Sequence, residues 1–369
     1  MIPICVPTLG KKELDYVADC IKSNWISSKG QYVDEFERRF AEYCGCKYGV
    51  TTTSGTTAIH LGLLSIGLKR DDEVIVPSFT MIASVLPIIY CGAKPVLVDA
   101  DPETWCMETA QIEKKINAKT KAIMPVHIYG HPCKMDIITE IARDRGLHVI
   151  EDAAEAHGAE YKGRKTGSIG DIGCFSFYAN KIITCGEGGM IVTDNEEIAE
   201  TARSLKNLSF PKGERTYLHR AVGYNYRMTN MQAAVGLAQL ERIGEFVEMR
   251  RRNAKMYNDL LGNMDGITLP VEKEWAKNVY WMYSILIQPQ FRKTRDQLVT
   301  RLKEKEIETR PFFIPMNTQP VFQDMRLFGV ESYPVSEELS QKGLNLPSSS
   351  GLSERQIHEV CDAIKRCKQ

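Results

Sequence analysis

No apolar run in this sequence approaches the ~20 residues that a membrane-spanning helix needs. The opening MIPICVPTLG lacks the basic start and long apolar stretch of a signal peptide. Both absences lead to the expectation of a cytoplasmic protein without a membrane partner. Net charge is missing too: 47 Lys and Arg balance 47 Asp and Glu, so no basic footprint exists for a nucleic acid to meet. The eleven cysteines are an odd number and scattered, with no C-x-x-C pair and no H-E-x-x-H motif. Cys44 and Cys46 are the one close pair, and their spacing fits neither zinc nor redox motifs, so the cysteines read as buried thiols and no metal is expected. The run GAEYKGRKT from Gly158 resembles a P-loop, but Arg164 stands where the lysine must be and no strand leads into it. With no G-x-S-x-G and no G-x-G-x-x-G after a strand, the ATP, nicotinamide and serine-hydrolase readings lose their footing. Internal repeats and low-complexity tracts are absent as well.

What is present is a regular alternation of strand and helix. At 369 residues the chain has length for about two domains. Val33, Phe36, Phe40 and Tyr43 recur at helical spacing over 32–44. A β-branched strand over 48–53 then breaks at Ser54-Gly55-Thr56 before an apolar helix over 57–68. Strands are expected over 73–76, 95–98, 122–126 and 148–150, with helices over 82–90, 111–116 and 135–145 between them, which predicts an α/β domain with a largely parallel sheet. A helix over 196–205 and a polar loop over 207–220 follow. The segment Gly223 to Asn230, with two tyrosines, Asn225 and Arg227, reads either as a binding surface or as a turn packed by its own aromatics. A long helical stretch ending near Leu261 leads to a smaller α+β unit, with a strand over 280–287, helices over 295–305, 335–342 and 353–365, and a strand over 344–346. The expected division is 1–245 and 246–369.

The chemistry concentrates at strand ends, where open α/β sheets collect ligands; Ser54, Asp99, His127 and Asp152 all fall there. Ser54-Gly55-Thr56 opens a helix, so its free N–H groups and hydroxyls suit a phosphate, although Ser and Thr are also ordinary helix caps. Asp152 follows an apolar strand and precedes Ala153-Ala154, which points it into a crevice or makes it a cap. Lys181 sits in the turn between a strand at 174–178 and another at 190–193, and that turn ends in Gly186-Glu187-Gly188-Gly189. Glycines there allow positive φ and close approach to a ligand; a solvated turn lysine is the plainer alternative. Together a phosphate cradle, a buried carboxylate and an amine fit pyridoxal phosphate better than any other cofactor.

The strings EDAAEAHGAEYKG at Glu151, GDIGCFSFYANKIITCGEGGM at Gly170 and GYNYRMTNMQAAVGLAQLE at Gly223 resemble the DegT-type nucleotide-sugar aminotransferases of fold-type I, and the match runs essentially from Ile2 onward. KAIMPVHIYGHP, FSFYANK and RPFFIPM resemble the branch that aminates C4 of GDP-4-keto-6-deoxymannose. The resemblance implies a large domain with a mostly parallel seven-stranded sheet between helices, plus a smaller C-terminal α+β domain. It implies Lys181 as the Schiff-base lysine and Asp152 as partner of the pyridine nitrogen. Ser54, Gly55, Thr56 and Ser176 would hold the phosphate, with Asn225 reaching it from the second subunit of an obligatory homodimer. Glu155 stands near the ring hydroxyl where many relatives have Gln. Met81 stands where many carry an aromatic that stacks on the ring, and Asn317 where His is common. L-glutamate is the implied amino donor and a nucleotide-linked 4-keto-6-deoxyhexose the acceptor. His157, Glu187, Arg310, Phe312 and Phe313 are candidates for substrate contact, with a structural role open for His157 and a turn-fixing role open for Glu187. A dTDP- or UDP-linked sugar is the alternative substrate. A sugar 3-dehydratase on this fold resembles the chain with His in place of the lysine, so Lys181 argues against it. Retention of Lys181, Asp152 and Asn225 argues against a regulator that only binds the cofactor.

Overall fold

The computed structural model describes residues 1–210, 217–219 and 221–368. Of the expected loop over 207–220, residues 211–216, with Pro211-Lys212-Gly213, and residue 220 lie outside the described residues. Among the described residues, no helix is long and apolar enough to cross a membrane.

Seven short strands form the main sheet: β1 (Tyr48–Thr52), β2 (Glu73–Pro77), β3 (Lys94–Val98), β4 (Thr120–Ile123), β5 (His148–Asp152), β6 (Ile172–Ser176) and β7 (Gly189–Thr193). Their order is β1-β7-β6-β5-β4-β2-β3. All pairs from β6 to β3 are parallel, while β7 pairs antiparallel with both of its neighbours. β7 alone runs against the rest. Sequences such as EVIVP and IGCFS supply apolar and β-branched side chains to both faces, as a sheet covered on both sides requires. Ile75 and Phe175 face one apolar cluster with Phe36, Phe40 and Phe177, whereas Val74, Val76 and Cys174 face a second with Ala58, Leu61 and Ile88.

A second core gathers around a four-stranded sheet of β8 (Ile267–Thr268), β9 (Tyr283–Ile287), β10 (Arg310–Pro311) and β11 (Gly343–Leu346), in the order β8-β9-β11-β10. Tyr257 and Tyr283 stack in it at 4.4 Å, and Ile2 joins it from the far end of the sequence. The helix Ile243–Leu261 spans both cores, since Phe246 packs in the first and Tyr257 in the second. A division at 245 thus cuts a continuous helix.

Several expected boundaries move. The helix after Ser54 is Gly55–Ser65 and not 57–68, because Ser54 forms a reciprocal cap with Thr57 that starts the helix two residues earlier. The strand expected over 280–287 begins at Tyr283, since Tyr280 adopts φ 48°, a left-handed conformation that ends pairing. The helix Lys11–Lys22, which packs against the helix Asn230–Leu240, was not anticipated.

Candidate active site

The C-terminal ends of β1, β5 and β6 share one edge with the start of β7, because Gly189 pairs with both Thr52 and Ser176. A cleft of about 360 Å³ opens at this edge.

At one end of the cleft, Ser54 Oγ accepts from the Thr57 N–H at 3.2 Å, and the Ser54 N–H donates to Thr57 Oγ1 at 2.9 Å. The amides of Gly55 and Thr56 belong to the first turn, which has no intrahelical acceptor, and with Ser176 they line the cleft. A Cβ on Gly55 would lie 2.7 Å from Ser176 Cβ, and one on Gly189 would lie 2.2 Å from the Ser54 carbonyl oxygen. These two glycines let the cap, β6 and β7 pack close enough to make a cradle. The glycine-rich turn before β7 shows the positive φ expected of it at Gly186. Gly186 takes φ 79° and a Cβ on Gly188 would meet Met228 Cε at 2.7 Å, so these glycines shape and pack the turn, and from it Glu187 lines the cleft.

Asp152 ends β5 with only 5% exposure. Ser84 Oγ donates to its Oδ2 at 2.7 Å and the Ala154 N–H to its Oδ1 at 3.1 Å. Lys181 lies in the connection from β6 to β7, its N–H donating to the Tyr178 carbonyl at 2.9 Å and its Nζ 3.8 Å from the centre of the Trp281 ring. Burial lowers the pKa of this amine, against the opposing pull of the Glu155 and Asp152 carboxylates. Glu155 accepts the Tyr129 N–H at 2.7 Å, and burial pushes its carboxyl up to about 7 although the Lys181 charge acts the other way.

The cleft brings together Ser54, Gly55, Thr56, Met81, Asp152, Glu155, Ser176, Lys181, Glu187, Arg310 and Phe313 of the expected residues. Others lie elsewhere. His157 is fully buried in an aromatic box of Phe40, Phe175 and Phe177, with neither ring nitrogen partnered, so it does not face the cleft. Burial brings its pKa down to about 3. Phe312 turns inward against Phe79, Trp105 and Tyr129. Asn225 is exposed, bridged to Asn207, and away from the cleft of its own chain. His127 accepts the Cys133 N–H at Nδ1, which puts its proton on Nε2 facing Glu151 at 2.9 Å in the buried interior. Asp99 accepts the N–H groups of Val335 and Ser336 at the start of the helix Pro334–Lys342. Asn317 pairs with Ser78 at 3.1 Å. Sequence reasoning missed Trp281, Ser84, Tyr178 and Asn180. Of these, Tyr178 and Trp281 carried a signal, as donor-bearing aromatics at the ends of the expected strands over 174–178 and 280–287.

The helix-start amides and hydroxyls, the Asp152 carboxylate and the Lys181 amine line one cleft, and this donor and acceptor set fits a phosphorylated, ring-nitrogen aldehyde. Asn180 Oδ1, buried beside the cleft, has no hydrogen-bond partner among the described residues. Residues 7–365 match the DegT/DnrJ/EryC1/StrS aminotransferase family, to which the chain belongs. It is 45% identical over 363 residues to the GDP-perosamine synthase of Escherichia coli O157:H7, covering 98% of this chain and 97% of that one. Among solved structures it is similar to DesV of S. venezuelae, with TM-score 0.91 and 34% identity over 97% of this chain and 94% of that one. It is also similar to the PLP form of Spr1654 from Streptococcus pneumoniae, with TM-score 0.93 and 26% identity over 100% and 98% of the two chains.

Proposed function

We propose that this aminotransferase, as a cytoplasmic homodimer with pyridoxal phosphate, moves the amino group of L-glutamate to C4 of GDP-4-keto-6-deoxymannose, giving GDP-perosamine and 2-oxoglutarate. The observation that carries the reading is the meeting of Lys181, Asp152 and the Ser54–Thr56 helix start in one cleft, in a chain 45% identical to a GDP-perosamine synthase. When bound there, pyridoxal phosphate supplies an aldehyde that combines with amines and a ring that accepts electrons from a carbanion.

The protein's own groups do the rest. Gly55 and Thr56 amides, with the Ser176 hydroxyl, bind the phosphate at the positive end of the helix. Asp152, held by Ser84 and the Ala154 amide, keeps a proton on the ring nitrogen. Lys181 Nζ, made less basic by burial, takes a proton from Cα of the donor and returns one to C4 of the sugar in the second half. Glu155 would stand near the ring hydroxyl and Met81 against the ring, while Glu187, Arg310 and Phe313 line the same cleft for the nucleotide sugar. The exposure of Asn225 in its own chain supports its use in a neighbour's site, and Trp25 and Ile26 are exposed apolar side chains that a second subunit can cover.

Product analysis tests the substrate: GDP-4-keto-6-deoxymannose is to be aminated with glutamate, and amination confined to dTDP- or UDP-linked keto sugars overturns the assignment. Lys181→Ala is to abolish the visible absorption of bound cofactor and lower transamination by about 10³-fold or more. Full activity in that variant sinks the central reading.

A further inference from the structure

Arg250 is a cation placed where a cation is costly. It lies in the middle of the helix Ile243–Leu261, 3% exposed, and among the described residues no carboxylate pairs with it. Its guanidinium instead donates to the Trp281 carbonyl, to Ser350 Oγ at 3.1 Å and to Cys5 Sγ at 3.5 Å. Two of those three partners converge on a single peptide group. Trp281 Nε1 donates to the Asn180 carbonyl at 2.8 Å, and Cys5 Sγ donates to the same oxygen at 3.2 Å. That carbonyl belongs to the peptide joining Asn180 to Lys181, whose N–H is taken up by Tyr178. The Trp281 ring meanwhile lies against Lys181 Nζ at 3.8 Å. The peptide that carries the reactive amine is thus held on both sides, by the N-terminal segment, by its own turn and by the residue that leads into β9.

We propose that Arg250, Trp281 and Cys5 form a clamp on the Asn180–Lys181 peptide that positions the Lys181 amine, with Arg250 and Cys5 acting as positioning residues through that peptide and through Trp281. A lysine side chain has four rotatable bonds, so fixing its peptide and one face of its amine is what keeps Nζ within reach of both reacting carbons. The uncompensated charge of Arg250 also opposes a second charge on Lys181. Among the groups acting on that amine, Glu155, Asp152 and Cys5 favour its protonation while Arg250 disfavours it. His157 feels the Lys181 charge from within its aromatic box and is neutral there. The clamp rests on the proposed function only for what Lys181 does once positioned.

The test uses two readouts. In cofactor-free full-length protein, reductive methylation across a pH series, followed peptide by peptide by mass spectrometry, gives the labelling midpoint of Lys181. In holoenzyme, kcat and KM are measured with the keto sugar. Arg250→Met is expected to raise the labelling midpoint by about one pH unit. Arg250→Lys, which keeps the charge and loses the fork, is expected to leave the midpoint within a few tenths and to lower kcat about tenfold with little change in KM. Trp281→Phe keeps the ring and removes one donor, and Cys5→Ala removes the other. Because either donor alone can hold the carbonyl, the double variant is expected to lose at least about threefold more kcat than the product of the single losses. Losses that simply multiply overturn the clamp, as does an unaltered kcat in Arg250→Lys. An unmoved midpoint in a folded Arg250→Met overturns the electrostatic share, and if that variant does not fold, the Arg250→Lys and double-variant results decide. The labelling needs neither cofactor nor sugar, so a protein that bound no pyridoxal phosphate would overturn the proposed function while the clamp remained measurable.

Discussion

Ser84 Oγ donates to Asp152 Oδ2 across 2.7 Å, and Thr80 Oγ1 stands 2.8 Å behind it. The carboxylate is therefore aimed by a short buried chain of hydroxyls and not by its strand alone. A hydrogen bond to a charged group contributes about 1.5–3 kcal/mol, so Ser84→Ala is expected to weaken cofactor binding by about tenfold or more. Titration of the cofactor-free protein with pyridoxal phosphate, followed in the visible, checks this, and an unchanged affinity removes Ser84 from the site.

Glu155 gives the protein a pH signature. Its carboxyl is raised from 4.5 to about 7 in the fold, so between those values the folded protein keeps a proton that the unfolded chain has released. Stability then falls as pH rises through that window and levels off above it, by on the order of 1–3 kcal/mol. Glu155→Gln removes the slope. Denaturant melts of cofactor-free wild type and variant at pH 5 and pH 8 are expected to diverge, with the variant the more stable at pH 8. Parallel pH dependence in the two proteins contradicts the assignment.

His157 is a test of the cleft's limits. Its ring is packed 5.4 Å from Phe175 and 5.5 Å from Phe177 with both nitrogens unpartnered. His157→Phe relieves two unsatisfied polar atoms and adds volume, so stability is expected to change by no more than about 1–2 kcal/mol. Activity should stay within about twofold. A loss of kcat/KM beyond tenfold without a fall in melting temperature returns His157 to the substrate.

The approach of Gly55 to Ser176 leaves no room for a methyl group, since the added Cβ would sit 2.7 Å from Ser176 Cβ and 3.2 Å from its Oγ. Gly55→Ala is expected to push the helix start away from β6 at a cost of about 1–3 kcal/mol. Cofactor affinity should fall with it, because amide and hydroxyl part company. Wild-type affinity and melting temperature together would mean that the cradle is more forgiving than its geometry.

How much of this was readable beforehand depended on distance along the chain. Lys181, Asp152 and Ser54 announce themselves locally, through a turn, a strand end and a helix start, and the alternating strands imply the edge at which they meet. Ser84 reaches Asp152 across 68 positions and Trp281 reaches Asn180 across 101, and no local pattern encodes such a pairing. Position at a strand end was also not sufficient. Asp99 spends its carboxylate on the start of a helix more than 200 residues later, and His127 spends its ring on Glu151. Phe312 and Phe313 are neighbours in sequence, yet one faces the aromatic interior and the other the cleft.

The pairing of Ile2 with Ile307 carries a consequence for biosynthesis. Ile2 exchanges backbone hydrogen bonds with Glu306 and Glu308, Ile4 accepts from the Ser348 N–H, and the Val6 N–H donates to Ser349 Oγ. Residues 2–6 are made before residues 306–349 and cannot settle until those have followed. Until then the Cys5 thiol has no fixed place beside Asn180. The strands around Lys181 can form on the nascent chain, whereas the seating of its peptide waits until residues 306–349 have been made.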